Sequence, residues 1–442
     1  MKRYLFCTAI AAMALTSCSS DDFLGEVPGN NQSAVTAKEI NFSGEAGKTS
    51  RGTRADGDKT GADAANALNK KFVVFGTKTT SNGTTTQTVF DHYNVEWPAT
   101  TGSTGWDYIG KSKNSLNTTA EKQSKKYWDF SAKMYKFVAF SFGTAAQGTA
   151  EDQVEASKVT NSDTGYSYTL TGKISELVKC YVANLVEATP TDYATANKNV
   201  SFTFRSLGTK INIGLYETID GYSVKDVKFY KSATDNAPTT TPTLYASSAT
   251  LPKGTEKEKI TVTFNTDKTP KVEWTELSTS NTARQMVTRG ENNETSEGTT
   301  ATTTSKTTFI TFGDLNKVTA ESKENAGQDY IGRTERNNAS KPTTPVAVLP
   351  CDAGALTLKV DYTLISIDGS GETINVKGAT ATIPTENTKW ASNKSYTYIF
   401  KISDKTNGST AEGHQGLYPI NFDAVVTETE DSNHDDINLG NK

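Results

Sequence analysis

Cysteine, histidine and long apolar stretches are scarce in this 442-residue chain, and each scarcity excludes something. Of the four cysteines, Cys7 and Cys18 stand near the start, which leaves Cys180 and Cys351 for the body of the protein. Two cysteines do not make a disulfide framework, and their separation predicts isolated buried thiols. The three histidines, His92, His414 and His434, lie far apart. None stands in the His-Glu-x-x-His spacing that sets two imidazoles on one helix face for zinc, so they are expected on the surface or in loops. Asp56-Gly57-Asp58-Lys59-Thr60-Gly61 starts like a calcium loop, but position twelve is Ala67, where a bidentate glutamate is required; it reads as a polar linker. Gly369-Ser370-Gly371 lacks nucleophile-elbow spacing, and no Walker or dinucleotide glycine pattern occurs. No catalytic, metal or cofactor-binding residue is assigned, and the chain is read as a non-enzyme with no cofactor. A concentrated basic face is also lacking: net charge is −4, the pI is near 5.7, and the lysines are dispersed among Thr, Ser and Asn. Nucleic acid is therefore excluded as a partner, because phosphate binding needs clustered Lys and Arg.

The one apolar run of note is at the start. Lys2 and Arg3 precede an apolar stretch from Tyr4 to Leu15, closed by Thr16-Ser17-Cys18. A positive flank, a short apolar run and small residues make a secretory signal peptide, residues 1–17. The run is shorter than the about 20 apolar residues a membrane span needs, so attachment to the outer membrane would come from lipid on Cys18. More than one acyl chain there makes a durable tether. Ser19-Ser20-Asp21-Asp22 then reads either as a solvated linker or as an address for surface display.

What fills the rest is β-pattern. Val200-Phe202-Phe204, Ile211-Ile213-Leu215, Leu356-Leu358-Val360-Tyr362-Leu364 and Tyr396-Tyr398-Phe400-Ile402 all alternate with period two, which puts one face of each strand into a core. Phe72-Val73-Val74-Phe75 is apolar on both faces, as is nearly all of Phe137 to Phe142, which predicts central strands. Thr79-Thr80-Ser81-Asn82-Gly83-Thr84 reads as a hairpin loop and Glu291 to Lys306 as a long surface loop. Short strands with frequent turns make an all-β chain of sandwiches, two or three at this length. A composition dip at Thr189-Pro190-Thr191 through Lys198 is the candidate boundary, dividing residues 55–192 from 193–442.

Several segments, in this order, resemble the Bacteroidales fimbrillin family, whose members build pili. They are Glu39-Ile40-Asn41-Phe42-Ser43 with Lys48-Thr49-Ser50-Arg51-Gly52-Thr53-Arg54-Ala55, then Lys126-Tyr127-Trp128-Asp129 with Tyr135 to Ser141, then Val200 to Arg205. Val348-Leu349-Pro350, Trp390 to Tyr398 and Ile420 to Val426 complete the set; Ser206 replaces the histidine often found after the third. The resemblance implies two transthyretin-like antiparallel β-sandwiches in tandem, assembled with other fimbrillin subunits by donor-strand exchange. Residues 18–54 would then be tether and removable first strand, with Ile40 and Phe42 in the strand. Cleavage after Arg54 or Arg51 would remove it together with Cys18, converting an outer-membrane lipoprotein into a fimbrium subunit. The arginines equally read as plain linker residues. Tyr418, Ile420, Phe422, Ala424 and Val426 share one face and form a candidate donor strand, or else the last strand of their own sandwich. The alternative function is a permanently lipidated surface protein binding a host or glycan ligand through Trp97, Trp106 and the Thr-rich loops; tryptophans in that setting more often pack a core.

Overall fold

The computed structural model describes residues 38–46, 61–98, 105–117, 119, 121–246, 251–252, 256–275, 277, 284–286, 308–319, 329–403, 409–410, 424–428 and 437–438. In chain order its main strands are β1 (Phe42–Ala46), β2 (Lys71–Thr79), β3 (Thr86–Glu96), β4 (Met134–Ser141), β5 (Gly165–Gly172), β6 (Tyr181–Ala183) and β7 (Val200–Ser206). They continue with β8 (Thr209–Glu217), β9 (Tyr222–Phe229), β10 (Thr243–Ala246), β11 (Glu258–Phe264) and β12 (Pro270–Thr275). The last four are β13 (Leu356–Ser366), β14 (Thr373–Ile383), β15 (Ser395–Ile402) and β16 (Ala424–Glu428). The protein is all-β, its few helices being short; the longest among the described residues is α1 (Gly61–Ala67).

The first sheet runs β1-β7-β6-β4-β2-β3, and the second is built on β12-β11-β5 with short strands beyond. In the C-terminal half, β8 pairs with β15 and β15 with β16, while β13 pairs with β9, β10 and β14. The period-two segments behave as expected: Phe202, Phe204, Ile211, Ile213, Leu215, Tyr398 and Phe400 are all buried. Phe72-Val73-Val74-Phe75 is buried throughout because the first sheet is covered on both faces. Val73, Phe75, Val138 and Phe140 pack with the second sheet, whereas Phe72, Val74, Phe137, Phe202 and Phe204 belong to a separate aromatic cluster on the opposite face.

The sheets are not divided at 192/193. β7 follows that point in sequence but pairs with β1 and β6, and β11 pairs with β5 in the register Ile260↔Leu170. The composition dip is a short helix, Pro190–Thr195, with proline in its first turn and the Thr189 side chain accepting from the Asp192 N–H at 3.3 Å. Its polar residues cap a helix end rather than mark a linker between units.

Candidate functional site

The segment around β1 alternates by residue: Ile40, Phe42 and Gly44 are buried, while Asn41 is exposed and Ser43 half-buried. It enters the first sheet as an edge strand, parallel to β7 in the register Phe42↔Val200 through Ala46↔Phe204. The other side of the segment is held by an antiparallel bridge, Glu39↔Tyr127, in which the Ile40 N–H donates to the Lys126 carbonyl and the Trp128 N–H to the Lys38 carbonyl, both at 2.9 Å. The Tyr108 hydroxyl sits beneath: it donates to the Ile40 carbonyl and accepts from the Lys126 N–H, each at 3.0 Å. Burial pushes that phenol well above its usual pKa, so it stays a donor. At the rim, Lys38 Nζ donates to Asn197 Oδ1 at 3.0 Å, Ser43 Oγ meets Ser201 Oγ at 2.7 Å, and Lys125 pairs with Glu39.

Phe42 is the centre of the aromatic layer. Its ring lies 5.0 Å from Phe90, 5.6 Å from Tyr108, 5.7 Å from Phe137 and 5.9 Å from Phe202, the first three edge-on. Burying a side chain of this size contributes about 1.5–3 kcal/mol, and Ile40 beside it is also fully buried. At Gly44 the layer closes tightly. A Cβ there would stand 3.1 Å from Phe72, 3.2 Å from Phe204 and 3.5 Å from Trp106. Trp106 packs edge-on against Phe72 at 4.7 Å and against Trp97 at 5.4 Å. The two tryptophans proposed for ligand contact thus form part of the covering over β1.

Removing this segment would leave the β7 edge with unpaired backbone groups and uncover the rings beneath Phe42. That combination is a template for another extended strand. Ile40 and Phe42, read from the sequence as removable-strand residues, are brought together here. Of the candidate donor residues, Ala424 and Val426 lie on β16, opposite Phe400 and Tyr398 of β15. Tyr418, Ile420, Phe422, Cys18, Arg51, Arg54, His414 and His434 lie outside the described residues.

His92 is a correction to the surface expectation, since it is buried in β3. Asp91 and His92 stand against Phe75 at a bulge, between the pairs Val74↔Tyr93 and Gly76↔Phe90. His92 takes a positive φ of 52°, contacts Asp91 Oδ1 through Nδ1 at 2.7 Å, and accepts the Val159 N–H at Nε2 at 2.9 Å. Burial lowers its pKa, the nearby Asp91 opposing that shift. Cys180 and Cys351 are free thiols, and burial raises the pKa of both. Among the described residues no cluster of His, Cys, Asp or Glu could hold a metal ion. Sequence reasoning passed over Tyr108 and Gly44; Tyr108 stands in a polar, turn-rich stretch with no strand periodicity to flag it.

No family model matches the chain, and no curated protein does. Among solved structures it is similar to a fimbrial protein from Bacteroides vulgatus, at 16% identity and TM-score 0.42, over 84% of this chain and 98% of that one. It is similar to a candidate cell adhesion protein from Bacteroides ovatus, at 12% identity and TM-score 0.32, over 85% and 96% of the two chains. A third, a candidate cell adhesion protein from Parabacteroides distasonis, matches at 10% identity and TM-score 0.32, over 89% and 96%. These scores mark a remote likeness.

Proposed function

We propose that the protein is a structural, non-catalytic subunit of a cell-surface fimbria that contributes to adhesion. In this reading it is exported as a lipoprotein on Cys18, built of tandem transthyretin-like sandwiches, and cut after Arg51 or Arg54. The cut releases the Cys18 tether and the first strand together, and polymers grow by donor-strand exchange with other subunits. The observation that carries the reading is the placement of residues 38–46. A segment at the edge of its sheet supplies the centre of an aromatic layer, and the chain beyond Ala46 leads into the two candidate cleavage arginines.

Trypsin treatment of the full chain tests it. The expected result is cleavage at Arg51 or Arg54, loss of residues 38–46, and large polymers seen by size exclusion and electron microscopy. A cut chain that stays monomeric would contradict the reading. In that case saccharide binding by the uncut chain, its N-terminus still at lipidated Cys18, would instead favour a permanently anchored binding protein.

A further inference from the structure

In the C-terminal half, β13 is bulged against both of its neighbours at the same place. Its pairing with β9 slips between Lys225 and Lys228, and its pairing with β14 slips between Val360 and Tyr362. Asp226 and Gly378, which stand in the two bulges, take positive φ values of 54° and 64°. Bulges of this kind open a ladder and re-aim the side chains beside it. Here they border a cavity of about 730 Å³. Sites for small ligands run from about 300 to about 1,000 Å³.

The charges in the wall are largely matched within the chain. The buried Asp361 carboxylate accepts from the Gly378 N–H and the Tyr230 hydroxyl at Oδ1, each at 2.8 Å, and from Lys377 Nζ at Oδ2 at 3.0 Å. Asp226 stands 3.7 Å from Lys225 Nζ. With four lysines against three aspartates in the lining, the cavity has little net charge, so it has no field that selects a polyanion. Around these pairs stand amides and hydroxyls. Thr363 Oγ1 donates to Asn375 Oδ1 at 3.1 Å and so fixes an exposed amide at the rim. Half-buried Val227 and Leu315 supply small apolar patches between the polar groups. Tyr362, only 2% exposed, also belongs to the wall, and its hydroxyl has no hydrogen-bond partner among the described residues. A buried hydroxyl left unpaired is destabilising, and a ligand group able to give and take a hydrogen bond relieves it.

We propose that this cavity binds a short, uncharged saccharide. A ring dense in hydroxyls with apolar C–H faces matches a wall of fixed amides, hydroxyls and paired charges broken by small apolar patches. The Tyr362 hydroxyl takes one ligand hydroxyl as its partner, and the Asn375 amide takes another. The site is separate from Trp97 and Trp106, which cover β1. It does not rest on the fimbrial reading, because every lining residue follows position 224 and a cut at Arg51 or Arg54 removes none of them.

Isothermal titration of the full, uncut chain tests it, with a panel of neutral mono-, di- and trisaccharides of glucose, galactose, mannose and N-acetylglucosamine. Saturable binding of at least one member is expected. Tyr362→Phe should weaken it about tenfold, the loss of one hydrogen bond, while the melting temperature stays level or rises because that hydroxyl holds nothing in the folded chain. Asn375→Ala should weaken it by a similar factor, and Trp97→Ala should leave it unchanged. No binding by any member would overturn the proposal. Loss of binding in Trp97→Ala with both cavity variants unaffected would overturn it too. A fall in the melting temperature of Tyr362→Phe would overturn the role of that hydroxyl. Tighter binding of trigalacturonate, weakening with added salt, would overturn the uncharged ligand class. None of these outcomes bears on cleavage at Arg51 or Arg54, which trypsin reports separately.

Discussion

The two faces of the first sheet are closed in opposite ways. On one, Val73, Phe75, Val138 and Phe140 meet a second sheet whose strands come from positions as distant as 165–172 and 258–275. Opening that face requires pulling apart interleaved pieces of the chain, including an aligned Phe140–Tyr168 ring stack at 4.8 Å. On the other face the aromatic layer has Phe42 at its centre, on a segment of β1 with parallel pairing to one strand and a single bridge on its other side. Under the proposed function this asymmetry has a use: one core is locked by topology, while the other is covered by a single edge segment that cleavage would detach.

The largest effect that could break the comparison is at Phe42. Phe42→Ala should lower the stability of the intact chain by about 3–5 kcal/mol in chemical denaturation, as for a large aromatic truncated in a core. Phe140→Ala, on the locked face, should cost about the same. After cleavage and polymerisation the two should part company: the Phe42 variant becomes indistinguishable from wild type because its strand has gone, while the Phe140 variant stays weakened. Equal persistence of both penalties would remove the distinction between the faces.

Next in size is Gly44→Leu, which should destabilise the intact chain by about 1–3 kcal/mol through overpacking against Phe72 and Phe204. Thermal melts before and after removal of residues 38–46 would check it.

Acid should act on the locked face. His92 is buried near Phe75 and Val159, and burial lowers its pKa from 6.5. Above pH 6.5 the imidazole is neutral folded and unfolded alike, so its contribution is fully present. As pH falls below 6.5 the unfolded chain takes up a proton that the folded chain refuses, and stability declines until the folded pKa is passed. The fall in melting temperature between pH 7 and pH 5 should shrink in His92→Asn. An unchanged fall would place the acid sensitivity elsewhere. The smallest effect belongs to Lys125→Ala. Its ion pair with Glu39 is exposed, so the melting temperature should barely move, and less still in high salt.

Much of this asymmetry was legible in the residues. Doubly apolar Phe72 to Phe75 announced a strand buried on both faces, while Ile40 and Phe42 were assigned to a first strand by the family resemblance. Less of the partner information was legible. Nothing in the pattern of residues 258–275 says that they join β5, because period two states which face of a strand is buried and not which strand lies beside it. The parallel pairing of β1 with β7 was hidden for the same reason. His92 was missed because the bulge at Asp91-His92 breaks the alternation, so a buried polar residue reads as a surface one.

The central claim is that residues 38–46 cover a groove in order to be removed. Mass spectrometry of the protein recovered from surface fibres and from membranes, reading its N-terminus, tests this most directly. Chains in detergent-resistant polymers should begin just after Arg51 or Arg54. Polymeric chains that retain Ile40 and Phe42, with an N-terminus at lipidated Cys18, would contradict it.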